Sequence, residues 1–267
     1  MRHLLLALCL AILAQPALAQ DTDLRPMETK ETSRGWEAVG RLDIDRSGFC
    51  TAALISETTI LTAAHCLFDD QGARIPPDRF TFLAGLRDGR AAAIRAVIRA
   101  TPHPDYVHHG TRARNDAVSV DLAVLELDRP IRLPSLAPYT VGGAPTRDVP
   151  LTVVSYARDR ANVASLQKTC HVLDAISHVV MMTCAADFGA SGAPVFATAD
   201  GIAHIVAVLS AKGEADGAAV SLAATVAGTL DTVLTAHRDG QAPLVSPGPR
   251  FTSSGARNDT GAKFVRP

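Results

Sequence analysis

The sequence predicts an all-β protein of two six-stranded antiparallel β-barrels followed by a C-terminal α-helix. Three observations carry that prediction. Short apolar runs of strand length alternate with turn residues from Trp36 onward. A proline-dense stretch holding Pro130, Pro134, Pro138, Pro145 and Pro150 forbids regular structure and divides those runs into two groups. Near the end, Val226, Leu230, Val233 and Leu234 share one helical face. Two groups of about six strands each, joined by such a link, imply two small barrels and a terminal helix.

The chain of 267 residues opens with Arg2 and His3, an apolar run over 4–14, and then Ala17-Leu18-Ala19. This is the order of charged n-region, apolar h-region and small-residue cleavage site in a secretory signal peptide, so 1–19 are expected to be removed. The run is too short to span a bilayer; a buried N-terminal helix is the alternative reading. Leu8 before Cys9 is too bulky for a lipoprotein anchor, and no other long apolar segment follows, so no membrane anchor is expected. The chain reads as exported, secreted or periplasmic. Residues 20–35 are polar and without period, which reads as a leader or short propeptide.

The first barrel is placed at 36–133, with strands expected over 37–43, 50–56, 59–63, 80–84, 93–100 and 122–127. The Ala-rich stretch 91–100 could be helical, since Ile94, Val97 and Ile98 fit either period; it is read as strand. Residues 134–150 form the inter-barrel linker. The second barrel and the helix occupy 151–238, with strands expected over 151–155, 169–174, 179–184, 194–197, 202–210 and 218–223, then a helix over 225–237 with Thr225 as its candidate N-cap. Residues 239–267 are rich in Gly, Pro, Ser and Arg and are expected to be disordered.

Four cysteines remain after signal removal: Cys50, Cys66, Cys170 and Cys184. An even count in an exported chain reads as disulfides, with three pairings open. Pairing of sequence neighbours gives one bridge to each half, each stabilising by roughly 3 kcal/mol on a chain-entropy estimate. A zinc site is the alternative, but no Cys-x-x-Cys pair is present. The formal net charge of −1 offers nothing to nucleic acid or an anionic surface. With aromatics at 4%, the core must be built mainly from Val, Leu, Ile and Ala.

Three short strings carry chemistry. Ser191 lies in Gly189-Ala190-Ser191-Gly192-Ala193-Pro194. A serine nucleophile needs an exposed hydroxyl and nearby backbone N–H groups for an oxyanion, and glycines permit the unusual backbone this requires. The residue two after Ser191 is Ala193, so this is not the Gly-x-Ser-x-Gly elbow of the α/β hydrolases. His65, in Thr62-Ala63-Ala64-His65-Cys66, follows an apolar strand and suits a general base held in place. Asp121 opens the apolar run Asp121-Leu122-Ala123-Val124-Leu125. An acid there is costly to bury without a partner, and an imidazole N–H would supply one. Asp116 is the rival acid but lacks an apolar strand directly behind it.

Together these strings, in the order His, Asp, Ser, resemble the chymotrypsin-like (trypsin-like) serine proteases. The resemblance covers most of 36–237 and includes Cys50-Thr51-Ala52-Ala53-Leu54-Ile55-Ser56 and His103-Pro104-Asp105-Tyr106. The compact second half is more similar to bacterial secreted members, including the glutamyl-endopeptidase-like group. The resemblance implies a double β-barrel with the site in the cleft between barrels, and a Cys50–Cys66 disulfide. It implies that His65 takes the proton of Ser191, that Asp121 orients His65, and that the Gly189 and Ser191 N–H groups hold the oxyanion. An acyl-enzyme then forms and is released by water. A polypeptide substrate, no cofactor, no metal and a monomer are expected.

The sequence also departs from that family. Ala190 stands where trypsins carry an acid that pairs with the new N-terminal ammonium, and no Ile-Val-Gly-Gly occurs at the expected mature start. An ion pair from the N-terminus to the site is therefore expected to be absent. The resemblance to trypsins implies that Ala185, six before the serine, is the pocket-base position and that Ser210, Ala211 and Gly213 lie along the wall that binds substrate backbone, with Asp187 near the base if the register shifts. A small neutral base implies a small or apolar preference. Lys212 either meets an acidic substrate residue or faces water, the second being favoured; His204 is near the position where glutamyl endopeptidases use a histidine. Three other readings are carried: a non-catalytic binding module on a protease fold, an esterase using the same triad, and metal chemistry on the loop bearing His103, Asp105, His108 and His109, whose spacing does not suit a helix-borne zinc pair.

Overall fold

In the computed structural model the described residues are 24–45, 48–108, 115–147, 149–215 and 217–240. The signal-peptide reading lies outside them, as does the tail reading beyond Gly240. The elements in chain order are β1 (Leu24–Pro26), α1 (Lys30–Ser33), β2 (Val39–Ile44), β3 (Gly48–Leu54), β4 (Thr59–Thr62), β5 (Phe80–Ala84), β6 (Ala93–Pro102), α2 (Asn115–Val118), β7 (Ala123–Leu127), β8 (Leu151–Ala157), β9 (Arg160–Cys170), β10 (Val172–Ile176), β11 (Val179–Met182), β12 (Pro194–Ala199), β13 (Ile202–Ala215), β14 (Ala218–Thr225) and α3 (Leu230–Arg238).

Strands β2 to β7 close into an antiparallel barrel in the order β2-β3-β4-β7-β6-β5. Alternate side chains point into it: Leu42 and Ile44 of β2, Phe80 and Phe82 of β5, and Leu125 and Leu127 of β7 are buried, while β7 is buried on both faces at Ala123–Leu125. Residues 93–100 are extended, which settles the Ala-rich run in favour of strand. The cross-strand partners Thr81↔Ala96 and Leu83↔Ile94 reward an extended backbone there.

The second unit is an eight-stranded antiparallel sheet in the order β1-β9-β8-β12-β13-β14-β11-β10, where the sequence suggests six strands. Two features account for the difference. No strand is expected over 160–168, yet β9 runs there because its inward positions include the buried polar residues Ser165 and Gln167, and the strand expected over 169–174 divides between the end of β9 and β10. The eighth strand comes from the segment read as a leader: Leu24–Pro26 pairs with Ser165–Gln167 at the β9 edge, and Met27 is buried and donates its N–H to Ala164 O at 2.9 Å.

The proline-rich link is irregular but pinned to both units. Tyr139 N bonds Leu54 O in the barrel at 2.9 Å, and Gly142 N bonds Ile205 O in the sheet at 2.8 Å. Phe196 of β12 receives Trp36 and Tyr139 edge-on, at centroid distances of 5.0 and 4.7 Å, so one apolar core runs from barrel to sheet. The terminal helix starts later than its pattern suggests. Thr225 still belongs to β14 and Gly228 turns at φ +79°, so Thr229 occupies the N-cap. α3 then packs on the barrel, where Thr101 Oγ1 meets the buried His237 Nδ1 at 2.8 Å and Arg99 donates to His237 O at 3.0 Å.

Candidate active site

Strand register brings His65 and Asp121 together. β4 and β7 are hydrogen-bonded neighbours with Thr62 opposite Ala123. His65 lies three residues beyond Thr62, on a 3-10 turn over Ala64–Leu67, and Asp121 lies two residues before Ala123, so both emerge at one end of the pair. A Cys50–Cys66 disulfide, with an S–S length of 2.03 Å, ties that turn to β3. A second bridge joins Cys170 and Cys184. One bridge therefore falls in each unit.

Asp121 is buried at 2% exposure, and its carboxylate is fully occupied. Oδ1 accepts from His65 N at 2.8 Å; Oδ2 lies 2.7 Å from His65 Nδ1 and accepts from Ser210 Oγ at 2.5 Å. Burial alone would raise the Asp121 pKa, but the adjacent His65 and these donors hold it below the ordinary carboxylate value. Desolvation likewise disfavours protonated His65; the Asp121 charge and hydrogen bond outweigh it, so the His65 pKa is raised. With Nδ1 committed to Asp121, Nε2 is the nitrogen left to act, and the His65 side chain keeps 27% exposure.

Ser191 faces the same cleft as His65 and Asp121, a cavity of about 730 Å³ walled by Ala186–Phe188 and Leu209–Lys212. Among the described residues its hydroxyl has no hydrogen-bond partner. The loop carrying it is held peptide by peptide. Phe188 O accepts from Arg158 N at 2.8 Å, and Ala190 O accepts from Ala193 N at 3.0 Å. Because a trans peptide aims its C=O and N–H in opposite directions, these two bonds orient the N–H groups of Gly189 and Ser191 away from them. The amides of Phe188, Ala190, Gly192 and Ala193 are all engaged; those of Gly189 and Ser191 have no partner among the described residues.

Gly189 and Gly192 hold φ values of +97° and +79°. A Cβ at Gly189 would enter the Phe49 ring, and one at Gly192 would enter Thr62 Oγ1 and Thr51 O, so both positions require glycine for space as well as for conformation.

The structure redistributes the residues expected to meet substrate. Ser210 and Ala211 line the cleft. Ala185 does not: its N–H is bonded to Gln167 Oε1 at 2.7 Å, and Ala186 takes the place beside the cleft. Gly213 lies further along β13, against a separate cavity floored by Val220 and Leu222. Ser210 also carries a contact that sequence reasoning missed, its bond to Asp121, and nothing local in Val208-Leu209-Ser210 signals it. Lys212 is 3.5 Å from Asp187 and 4.6 Å from the centroid of Phe188, whose ring Arg158 also covers at 4.6 Å. His204 bonds Thr140 Oγ1 at 2.7 Å, at the linker and not at the cleft.

Among the described residues, the histidines of the 103–109 loop gather in no metal-ligating cluster. His103 is buried and accepts from Asp105 N at 3.2 Å, His108 stacks on Phe68 at 5.3 Å, and His109 lies outside the described residues. Cys50, His65 and Cys66 do gather ligand-type atoms within 4.8 Å, but both sulfurs are spent in the disulfide. Asp116 sits exposed on α2, while Asp121 is the acid that touches His65.

A closed six-strand barrel packed on a second antiparallel sheet, with a C-terminal helix and with His65, Asp121 and Ser191 facing one cleft, is a chymotrypsin-like fold. The family model described as a trypsin-like peptidase domain matches residues 47–208, and the chain belongs to that family. It is a serine peptidase, a hydrolase. A solved structure titled as a Glu endopeptidase in complex with MPD is similar in fold, with a TM-score of 0.66 at 16% identity, covering 80% of this chain and 97% of that one.

Proposed function

We propose that this protein is an exported serine endopeptidase that cleaves polypeptides through an acyl-enzyme, with Ser191 as nucleophile, His65 as general base and acid, and Asp121 as the group that orients His65. The observation that carries the reading is the meeting, on one cleft, of Ser191 and an imidazole held by a buried carboxylate, beside a loop whose Gly189 and Ser191 N–H groups have no partner among the described residues.

The chemistry follows from those positions. His65 Nε2 takes the Ser191 hydroxyl proton as Oγ bonds to the substrate carbonyl carbon. The carbonyl oxygen becomes an oxyanion within reach of the Gly189 and Ser191 N–H groups, whose fixed dipoles favour charge developing there. Asp121 stabilises the imidazolium through Nδ1 and is not itself protonated. His65 then gives its proton to the leaving amine, the C–N bond breaks, and an ester to Ser191 remains. Water repeats the sequence in reverse and frees Ser191.

An esterase reading shares this machinery; Ser210–Lys212 of β13 line the cleft just past the part of that strand that pairs with β12, which favours an extended peptide. The preference proposed for the cleaved residue is small or apolar, because Ala186, Leu209 and Ala211 face the cleft. Two disulfides fit an oxidising compartment, and no helix among the described residues is long and apolar enough to cross a membrane. Digestion of a peptide library tests both parts. Wild type should cut after small or apolar residues and Ser191→Ala should not cut. Strict cleavage after Arg, Lys or Glu would overturn the preference, and equal cleavage by Ser191→Ala would overturn the mechanism.

A further inference from the structure

We propose that Thr51 is a positioning residue that sets the oxyanion-binding loop from the opposite barrel, a role that rests on Ser191 being the nucleophile. Thr51 sits on β3, wholly buried, and grips the loop twice. Its backbone N–H donates to Ser191 O at 2.8 Å, and its hydroxyl donates to Gly189 O at 2.9 Å. The same hydroxyl accepts from Tyr156 N of β8 at 3.0 Å. One side chain thus joins the first barrel, the second sheet and the nucleophile loop.

The two carbonyls it holds belong to the peptides that alternate with those bearing the unpartnered N–H groups. Arg158 and Ala193 fix the 188–189 and 190–191 peptides; Thr51 fixes the 189–190 and 191–192 peptides between and beyond them. Without the hydroxyl, Gly189 O loses its donor, and the left-handed backbone at φ +97° loses a constraint that opposes its relaxation. Ala190, buried and apolar, offers the loop no polar anchor of its own. Thr51 is itself braced, since its carbonyl accepts from Thr62 Oγ1 at 2.8 Å.

The hydroxyl and the methyl of Thr51 can be separated. Thr51→Val keeps the shape and the backbone N–H but removes the hydroxyl; Thr51→Ser keeps the hydroxyl and removes the methyl. A positioning role places the loss in turnover, because oxyanion contacts strengthen only as the transition state forms. For Thr51→Val, kcat on a peptide substrate should fall roughly 10- to 100-fold with KM changed less than about twofold, while Thr51→Ser stays near wild type. Wild-type turnover in Thr51→Val, or a variant order in which Val is active and Ser impaired, would mark the side chain as packing and overturn the proposal. Should Thr51→Val not yield folded protein, Thr51→Ala against Thr51→Ser makes the same comparison. Ala impaired and Ser active supports the hydroxyl; equal activities overturn it. Failure of wild type to react with a fluorophosphonate refutes the nucleophile assignment instead, and so is told apart from failure of this inference.

Discussion

Substituting Gly192→Ala tests the closest approach at any glycine among the described residues. The added Cβ would stand inside contact distance of Thr62 Oγ1 and Thr51 O and 3.0 Å from Ala63 N. None of these can yield cheaply. Two are main-chain atoms, and the Thr62 hydroxyl is buried and committed to Thr51 O at 2.8 Å. The backbone at φ +79° adds a second cost for any residue with a Cβ. Left-handed strain of about 1–3 kcal/mol and overpacking of about 1–3 kcal/mol give a destabilisation of about 2–6 kcal/mol. For a chain of this size that lowers Tm by roughly 5–20 °C. Turnover should fall as well, because the displaced residue adjoins Ser191 and carries its loop's bond to Leu209 O. The assay pairs thermal unfolding with kcat on a peptide substrate. A Tm within about 2 °C of wild type together with full turnover would refute the close approach of β3, β4 and the nucleophile loop.

Three further outcomes are expected. The active form of His65 is the neutral base, and its pKa is raised above 6.5 chiefly by Asp121 against the pull of desolvation, so kcat/KM should rise with pH through an acid limb centred above that value; Asp121→Asn should move the limb to lower pH and cut turnover roughly 10⁴-fold, and an unmoved limb would contradict the pairing. Replacing both Cys50 and Cys66 by Ser should cost about 3 kcal/mol, read by denaturant titration, and should lower activity more than the same change at Cys170 and Cys184, because only the first bridge anchors the His65 turn. Truncation to begin at Trp36 should lower Tm by roughly 5–10 °C, since it exposes the Met27 contact and the β9 edge; an unchanged Tm would return 24–35 to the status of a removable leader.

All six barrel strands were legible in the sequence because their short apolar runs are of strand length and end at turn residues. β9 was not, since Ser165 and Gln167 point inward and interrupt the apolar signal. The strand at Leu24–Pro26 is invisible for a different reason: three residues carry no period, and their edge pairing is supplied by a partner far along the chain. His65, Asp121 and Ser191 stand out because each adjoins a strand whose pattern is strong. Ser210 and Thr51 act through long-range contacts, to Asp121 and to Gly189, that no local pattern encodes. The pocket wall slipped by one residue, from Ala185 to Ala186, because the conformation of a short loop depends on which neighbour claims its amides.

The central claim is that Ser191 is an activated nucleophile, and active-site labelling tests it most directly. Folded, disulfide-bonded protein treated with a fluorophosphonate should acquire one adduct, placed on Ser191 by peptide mass spectrometry, with little labelling of Ser191→Ala or His65→Ala. An unlabelled wild type, or an adduct on another residue, would contradict the account.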